Sequence, residues 1–253
     1  MILVGTSGWS YAEWYGAFYP SYLPRANMLA YYSRFFDAAE VNSSFYSFPS
    51  RGTVIYWYKN TPDSFQFAVK LNQRITHDKR LVGVEEDLES FMGTIEMLGG
   101  KLGVILVQLP PSLKLDLKLL EDFLSRLPDG YRFAVEFRQK SWLREEVFSM
   151  LEKYRVAYVC VDEPLLPPIA RATSSIAYVR FHGRGSRVWY DYKYSREELE
   201  EWKPKIEELE ASADKVYVFF NNHFHGNAVK DALVLKELLG QEVSPRGGIE
   251  RFF

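Results

Sequence analysis

Short β-branched and aromatic runs recur along the chain at Ile2–Gly5, Ala38–Ser43, Phe65–Leu71, Leu102–Leu109, Tyr131–Phe137, Val156–Val161, Ile176–Phe181 and Lys215–Phe220. Segments with helical spacing separate them. Met28, Leu29, Tyr32, Phe35 and Phe36 share one helical face, as do Leu88, Phe91, Met92 and Ile95. Two further stripes follow, Leu119-Leu120-Phe123-Leu124-Leu127 and Leu199-Trp202-Ile206-Leu209. Asp116 and Ser141 stand where N-caps belong, and Ser195-Arg196-Glu197-Glu198 has the spacing of a capping box. Gly99-Gly100, Pro128 and Gly240 follow helical stretches as stop signals. Eight strands alternating with helices over about 250 residues is the arithmetic of an α/β (β/α)8 TIM barrel, with a doubly wound open sheet as the competing solution. Pro164, Pro167 and Pro168 predict a reduced sixth crossover helix within Glu163–Ser175. No linker-like stretch or short repeat interrupts the pattern, so residues 1–253 read as one domain.

Where polar residues fall on these runs carries more information than the runs themselves. Strand side chains alternate between faces. One face of the second run holds Ala38, Glu40 and Asn42; of the third, Ala68, Lys70 and Asn72; of the fifth, Ala134, Glu136 and Arg138. The remaining runs contribute Ser7, Gln108, Asp162 after Cys160, Arg180 with His182, and Asn221. All sit toward the C-terminal ends, where a barrel gathers its active-site groups. Charged side chains are almost never buried unless paired, so a self-compensating ion network plugging the barrel is the competing explanation.

Composition narrows the partners. The 253 residues carry 31 basic and 33 acidic side chains, a net charge of −2, which disfavours a general nucleic-acid binder. Cys160 is the single cysteine, ruling out an intramolecular disulfide. No apolar run approaches a membrane span and no signal-peptide pattern opens the sequence, so a cytoplasmic protein is expected. Aromatic residues reach 16%, and Trp9, Tyr11, Trp14, Tyr15, Phe18, Tyr19 and Tyr22 crowd one Gly- and Pro-containing loop.

His182-Gly183-Arg184-Gly185-Ser186 follows the seventh run, and Asn221-Asn222-His223-Phe224-His225-Gly226-Asn227 follows the eighth. Barrels often hold phosphate in these two loops, although glycine also simply makes turns. Glu136, Asp162, His182 and His223 offer metal donors without any spaced ligand motif. No Gly-x-Ser-x-Gly elbow supports a serine nucleophile.

Several segments together resemble the YecE-like family, domain of unknown function 72. They include Gly5-Thr6-Ser7-Gly8-Trp9-Ser10-Tyr11, Phe18-Tyr19-Pro20, Glu40-Val41-Asn42-Ser43-Ser44-Phe45-Tyr46 and Phe67-Ala68-Val69-Lys70. Arg74-Ile75-Thr76-His77, Gln108-Leu109-Pro110-Pro111-Ser112, Glu136-Phe137-Arg138, Tyr178-Val179-Arg180-Phe181-His182-Gly183-Arg184 and Asn221-Asn222 continue the series. The resemblance implies a TIM-barrel-like fold over nearly the whole chain and supplies no reaction or cofactor.

The leading expectation is an enzyme, a hydrolase or lyase acting on a polar anionic small molecule such as a phosphorylated or acidic sugar. Glu136, Glu40, His182 and Asp162 are its candidate catalytic groups, with Glu40 and Glu136 as the acid/base pair. Lys70, Arg138, Arg180, Arg184, Asn42, Gln108, Asn221, Asn222 and Trp9 are its candidate substrate contacts. A metal-assisted phosphodiesterase or isomerase using Glu136, Asp162, His182 and His223 is one alternative. A non-catalytic module binding a metabolite or nucleic acid is the other. Cofactor and oligomeric state are left open by the sequence.

Overall fold

The computed structural model describes residues 1–245. Eight parallel strands, β1 (Ile2–Ser7), β2 (Ala38–Val41), β3 (Gln66–Lys70), β4 (Leu102–Gln108), β5 (Phe133–Glu136), β6 (Ala157–Asp162), β7 (Ile176–Phe181) and β8 (Lys215–Phe220), pair in chain order. β8 closes on β1, with Gly5 opposite Phe219, so the sheet is a closed barrel rather than an open one. The crossovers carry α1 (Met28–Tyr32), then α2 (Ser43–Tyr46) with α3 (Arg51–Lys59), α4 (Glu85–Ile95), α5 (Leu117–Leu124), α6 (Glu145–Lys153) and α7 (Arg196–Ser212). The final helix is α8 (Asn227–Leu238). None of the helices among the described residues is long and apolar enough to cross a membrane.

Two apolar layers follow from strand alternation. Leu3, Ala38, Ala68, Leu106, Ala134, Ala157, Val159, Tyr178, Tyr217 and Phe219 fill the lumen. The opposite strand faces, with Val4, Ala39, Val69, Val135, Tyr158, Val179 and Phe220, meet the amphipathic helices. The helical stripes are the helices' contribution: Leu88, Phe91 and Ile95 of α4, and Leu199, Trp202 and Ile206 of α7, are all buried. Two N-caps form as their residues predict. Asp116 Oδ1 accepts the Leu119 amide at 3.0 Å, and Ser195 and Glu198 make the reciprocal capping box of α7. Ser141 does not cap a helix. It lies in a 3-10 turn, Lys140–Trp142, where its Oγ accepts the Leu115 amide at 3.0 Å, and α6 begins only at Glu145.

The sixth crossover contains no helix, as its three prolines predict. The segment instead runs back alongside β6. Thr173 Oγ1 accepts the Tyr158 amide at 2.8 Å and donates to the Val156 carbonyl at 2.7 Å. The Arg171 amide points to Cys160 Sγ at 3.5 Å. Buried polar backbone here is satisfied by side chains rather than by helical packing.

The β1–β2 contact is unusually close around Tyr32. Its hydroxyl accepts the Thr6 amide at 2.8 Å and donates to the Ala38 carbonyl at 3.1 Å. A Cβ on Gly5 would lie 2.1 Å from that carbonyl oxygen, so only glycine fits.

Candidate functional site

Below the charged groups the lumen is filled by the Tyr178 and Tyr217 rings, 6.3 Å apart, and Phe219, level with Arg180 in the β7–β8 register, lies 5.3 Å from Tyr178. At the C-terminal end, the next residue on the same face is polar on every strand except β6. Ser7, Glu40, Lys70, Gln108, Glu136 and Arg180 therefore form a ring above the aromatic layer, and Arg138, His182 and Asn221 follow one step higher. The alternation expected from the sequence holds for these strands.

Hydrogen bonds join the ring into one network. Arg180 is its centre: Nη2 donates to Glu40 Oε1 at 2.6 Å, and Nη1 donates to Glu136 Oε2. Glu40 also accepts from Ser7 Oγ at 2.7 Å and from the Tyr178 hydroxyl at 2.6 Å. Glu136 Oε1 accepts from Gln108 Nε2 at 2.9 Å and Arg138 Nη1 at 3.0 Å, with His182 Nε2 at 3.1 Å. Asn221 stands 3.2 Å from His182 Nδ1 on the far side of the ring. Lys70 Nζ donates to Gln108 Oε1 at 2.8 Å and sits 3.9 Å above the Phe45 ring. Glu40, Glu136 and His182 have no exposed surface, whereas the Arg138 side chain keeps 12% and is the network's contact with the mouth. The Trp189 ring covers that guanidinium at 5.4 Å.

One strand breaks the expected register. Asp162 does not face the lumen. On β6 the inward residues are Ala157, Val159 and Val161, while Tyr158 and Cys160 pack outward against the helices. Asp162 accordingly points outward, accepting from Arg184 Nε at 2.8 Å, the Tyr194 hydroxyl at 2.8 Å and Trp202 Nε1 at 2.7 Å. Its place at the mouth is taken by Glu163, whose Oε2 lies 3.1 Å from Arg138 Nη2. Glu163 was not singled out from sequence. The signal was present: Ala157 stands where Ala38, Ala68 and Ala134 stand on their strands, and counting by twos from it reaches Glu163.

Four other expected contacts also lie away from the lumen. Arg184 is occupied by Asp162 and by Glu198 Oε1 at 2.9 Å. Asn222 is buried toward α8, donating to Asp231 Oδ2 at 2.6 Å and the Tyr192 carbonyl at 2.9 Å. Trp9 packs edge-on against Trp57 and Phe67, and with Asn42 it lines a shallow cleft of about 200 Å³ beside the mouth. Most of the aromatic loop is packing: Trp14 and Tyr19 are buried, and the Trp14 indole donates to the His223 carbonyl at 2.9 Å.

The glycine loop after β7 does not present an open phosphate cradle. The Gly183 amide donates to the Tyr194 hydroxyl at 2.9 Å, and the Gly185 amide to the Trp189 carbonyl at 3.3 Å. With φ of +87°, Gly183 makes the turn that folds Trp189 back over the mouth. The metal-ligand set is not assembled either, because Asp162 faces outward and His223 pairs with Glu13 at 3.1 Å. Among the described residues no group of three His, Cys, Asp or Glu side chains could hold a metal ion.

Burial and charge set the protonation of the ring. Burial disfavours the Glu136 carboxylate, but Arg180, then His182 and Arg138, outweigh it and hold the group well below the usual carboxylate range. Burial pushes His182 down to about 4, with Arg180 adding to the effect against the pull of Glu136. Burial likewise raises Glu163, helped by nearby Glu136 and opposed by Arg138. Lys70 is lowered to about 8 by burial and by Arg180, against the opposing Glu136 and Glu40.

A family model described as a protein of unknown function, DUF72, matches residues 3–249. The chain is 30% identical to the UPF0759 protein YunF of Bacillus subtilis (strain 168), over 96% of each chain. It is 29% identical to the UPF0759 protein YecE of Escherichia coli (strain K12), over 54% of this chain and 48% of that one. Among solved structures, a DUF72 family protein from Thermotoga maritima MSB8 superposes with a TM-score of 0.88 at 37% identity, covering 95% of this chain and 100% of that chain. One from Enterococcus faecalis V583 superposes at 0.84 and 21% identity, over 98% and 100%, and shares the fold. Barrel closure, strand order and these matches converge on one assignment: the chain belongs to the DUF72 family.

Proposed function

We propose that this protein is an enzyme that binds a polar, anionic small molecule at the barrel mouth and acts on it by carboxylate acid/base chemistry, as a lyase or hydrolase. The observation that carries the reading is the Arg138 guanidinium, which touches two carboxylates whose proton affinities are driven apart. Nη1 meets Glu136 at 3.0 Å and Nη2 meets Glu163 at 3.1 Å. Glu136 is held ionised by its cations, while burial raises Glu163. Two carboxyl groups separated in this way divide the work of base and acid.

Glu136 then serves as the base or as the electrostatic stabiliser, and Glu163 as the proton donor. His182, neutral and in contact with Glu136, orients the carboxylate. Glu40 takes a different part from the one its sequence position suggests. Its oxygens are engaged by Ser7, Tyr178 and Arg180, so it positions Arg180 rather than moving a proton. Arg138 and Lys70, the cations nearest solvent, receive the anionic group of the substrate.

The test is a thermal-shift screen of phosphorylated and carboxylated small molecules, with turnover of each hit followed by NMR. Glu163→Gln should retain binding while losing most turnover, about 100-fold or more for a proton-transfer residue. If no anion raises the melting temperature, or if the Glu163→Gln protein turns over at the unaltered rate, the proposal is wrong.

A further inference from the structure

We propose that Lys70 is a covalent site, forming a Schiff base with the carbonyl carbon of a small keto acid or aldehyde acid whose carboxylate is held by Arg138. The inference rests on the small-molecule reading of the mouth given above and adds the electrophile that the site takes.

The geometry separates Lys70 from the other lumen cations. Arg180 and Arg138 each touch two carboxylates, whereas among the described residues no carboxylate lies within 4.0 Å of Lys70 Nζ. Its polar partner is the neutral Gln108 amide at 2.8 Å, and its other side is the Phe45 face at 3.9 Å. A lysine kept for charge balance would be expected against an acid. Here the amine stands at the end of β3 with only 9% of the residue exposed. Burial and the adjoining guanidinium both favour its neutral, nucleophilic form. Phe45 is equally suited to the product, because an iminium is a cation over the same ring face. Gln108 joins Lys70 to Glu136, which in turn accepts from Arg138, so the amine and the guanidinium that would hold the carboxylate belong to one hydrogen-bonded chain.

The chemistry balances without a further reactant. The Nζ lone pair attacks the carbonyl carbon, the N–C bond forms, and the carbonyl π pair moves to oxygen. A proton passes from nitrogen to that oxygen, giving the carbinolamine. The C–O bond then breaks, the oxygen leaves as water with the proton that the ammonium gave up before the attack, and the iminium, which keeps the remaining nitrogen proton, is left. From the ammonium form the sum is ammonium plus carbonyl giving iminium plus water.

The experiment uses the unaltered protein with glyoxylate and cyanoborohydride at neutral pH, followed by peptide mapping. Reduced adduct should accumulate at Lys70 about tenfold or more faster than at exposed lysines such as Lys153, because a far larger fraction of its amine is unprotonated. Adduct spread over exposed lysines with none at Lys70 overturns the proposal. Glycolate, which lacks the carbonyl, separates the two levels of the argument. If glycolate raises the melting temperature but glyoxylate leaves Lys70 unmodified, the Schiff base fails and the anion site stands. If neither acid shifts melting and Lys70 is unmodified, both fail. Because the mapping is read on the native sequence, it does not depend on a Lys70 variant folding.

Discussion

Replacing Glu136 by Gln tests whether the lumen charges act as one coupled unit. The carboxylate faces Arg180 through one oxygen and Gln108, Arg138 and His182 through the other. In the amide variant Arg180 keeps only Glu40, and Arg138 keeps only Glu163. Removing one partner of a buried pair typically costs about 3–5 kcal/mol, because the remaining charge is left poorly compensated. Arg180→Met should cost more than Glu136→Gln, since Glu40 then loses its sole guanidinium while Glu136 retains Arg138. The double variant removes opposite charges that face each other and should fall short of the sum of the singles by about 1–3 kcal/mol. Urea denaturation at pH 7 reads all three values. The pH dependence has a definite sign. A carboxylate with a depressed folded pKa stabilises above its unfolded pKa and loses that contribution as pH falls through the folded one. The gap between native protein and Glu136→Gln should therefore persist from neutral pH to near 5 and close only in stronger acid. Costs that add within about 0.5 kcal/mol would refute the coupled network.

Two further outcomes test the lumen and the β1–β2 contact. His182 is buried and shifted down to about 4, so NMR titration should show a neutral ring at pH 7. The unfolded state binds the proton first, so stability falls as pH drops from about 6.5 toward 4, and His182→Gln should remove that part of the acid sensitivity. Gly5→Ala places a methyl carbon 2.1 Å from the Ala38 carbonyl oxygen, and thermal unfolding should register a loss of about 1–3 kcal/mol. An alanine variant as stable as the native protein would mean that the strands separate more readily there than Tyr32 allows.

Most of the barrel was legible because its two layers follow simple periodicities. Alternation placed Glu40, Lys70, Glu136 and Arg180 in the lumen because each follows a small or aromatic inward residue by two positions. β6 misled for a physical reason. Cys160 and Asp162 form the pattern of a small residue followed by an acid, yet the outer face accepts that acid because Arg184, Tyr194 and Trp202 converge on it. Those partners lie 22 to 40 positions away along the chain, beyond any local pattern. The same holds for the loop glycines. Nothing local reveals that the Gly183 amide is consumed by the Tyr194 hydroxyl rather than left open to an anion. Ser141 illustrates competition at short range: its hydroxyl serves a loop amide of the preceding crossover, and the helix starts one turn later without it.

The contrast between the two ends of the lumen bears on the rival reading, in which the charges merely fill space. The lower part is filled by the Tyr178 and Tyr217 rings, whose packing needs no charge compensation, although the Tyr178 hydroxyl reaches up to Glu40. Along β7 the inward residue changes from Tyr178 to Arg180 in a single step, and Arg180 then requires two acids from β2 and β5 to offset its desolvation. An apolar side chain at position 180 would close the barrel at lower free-energy cost and would release Glu40 and Glu136 from the lumen as well. Within the lumen, among the described residues, the expensive arrangement stands at the C-terminal mouth, within reach of Arg138. A filler would leave no cation without an acid. Lys70, facing an amide and an aromatic ring, is what that explanation does not require and what a binding site does.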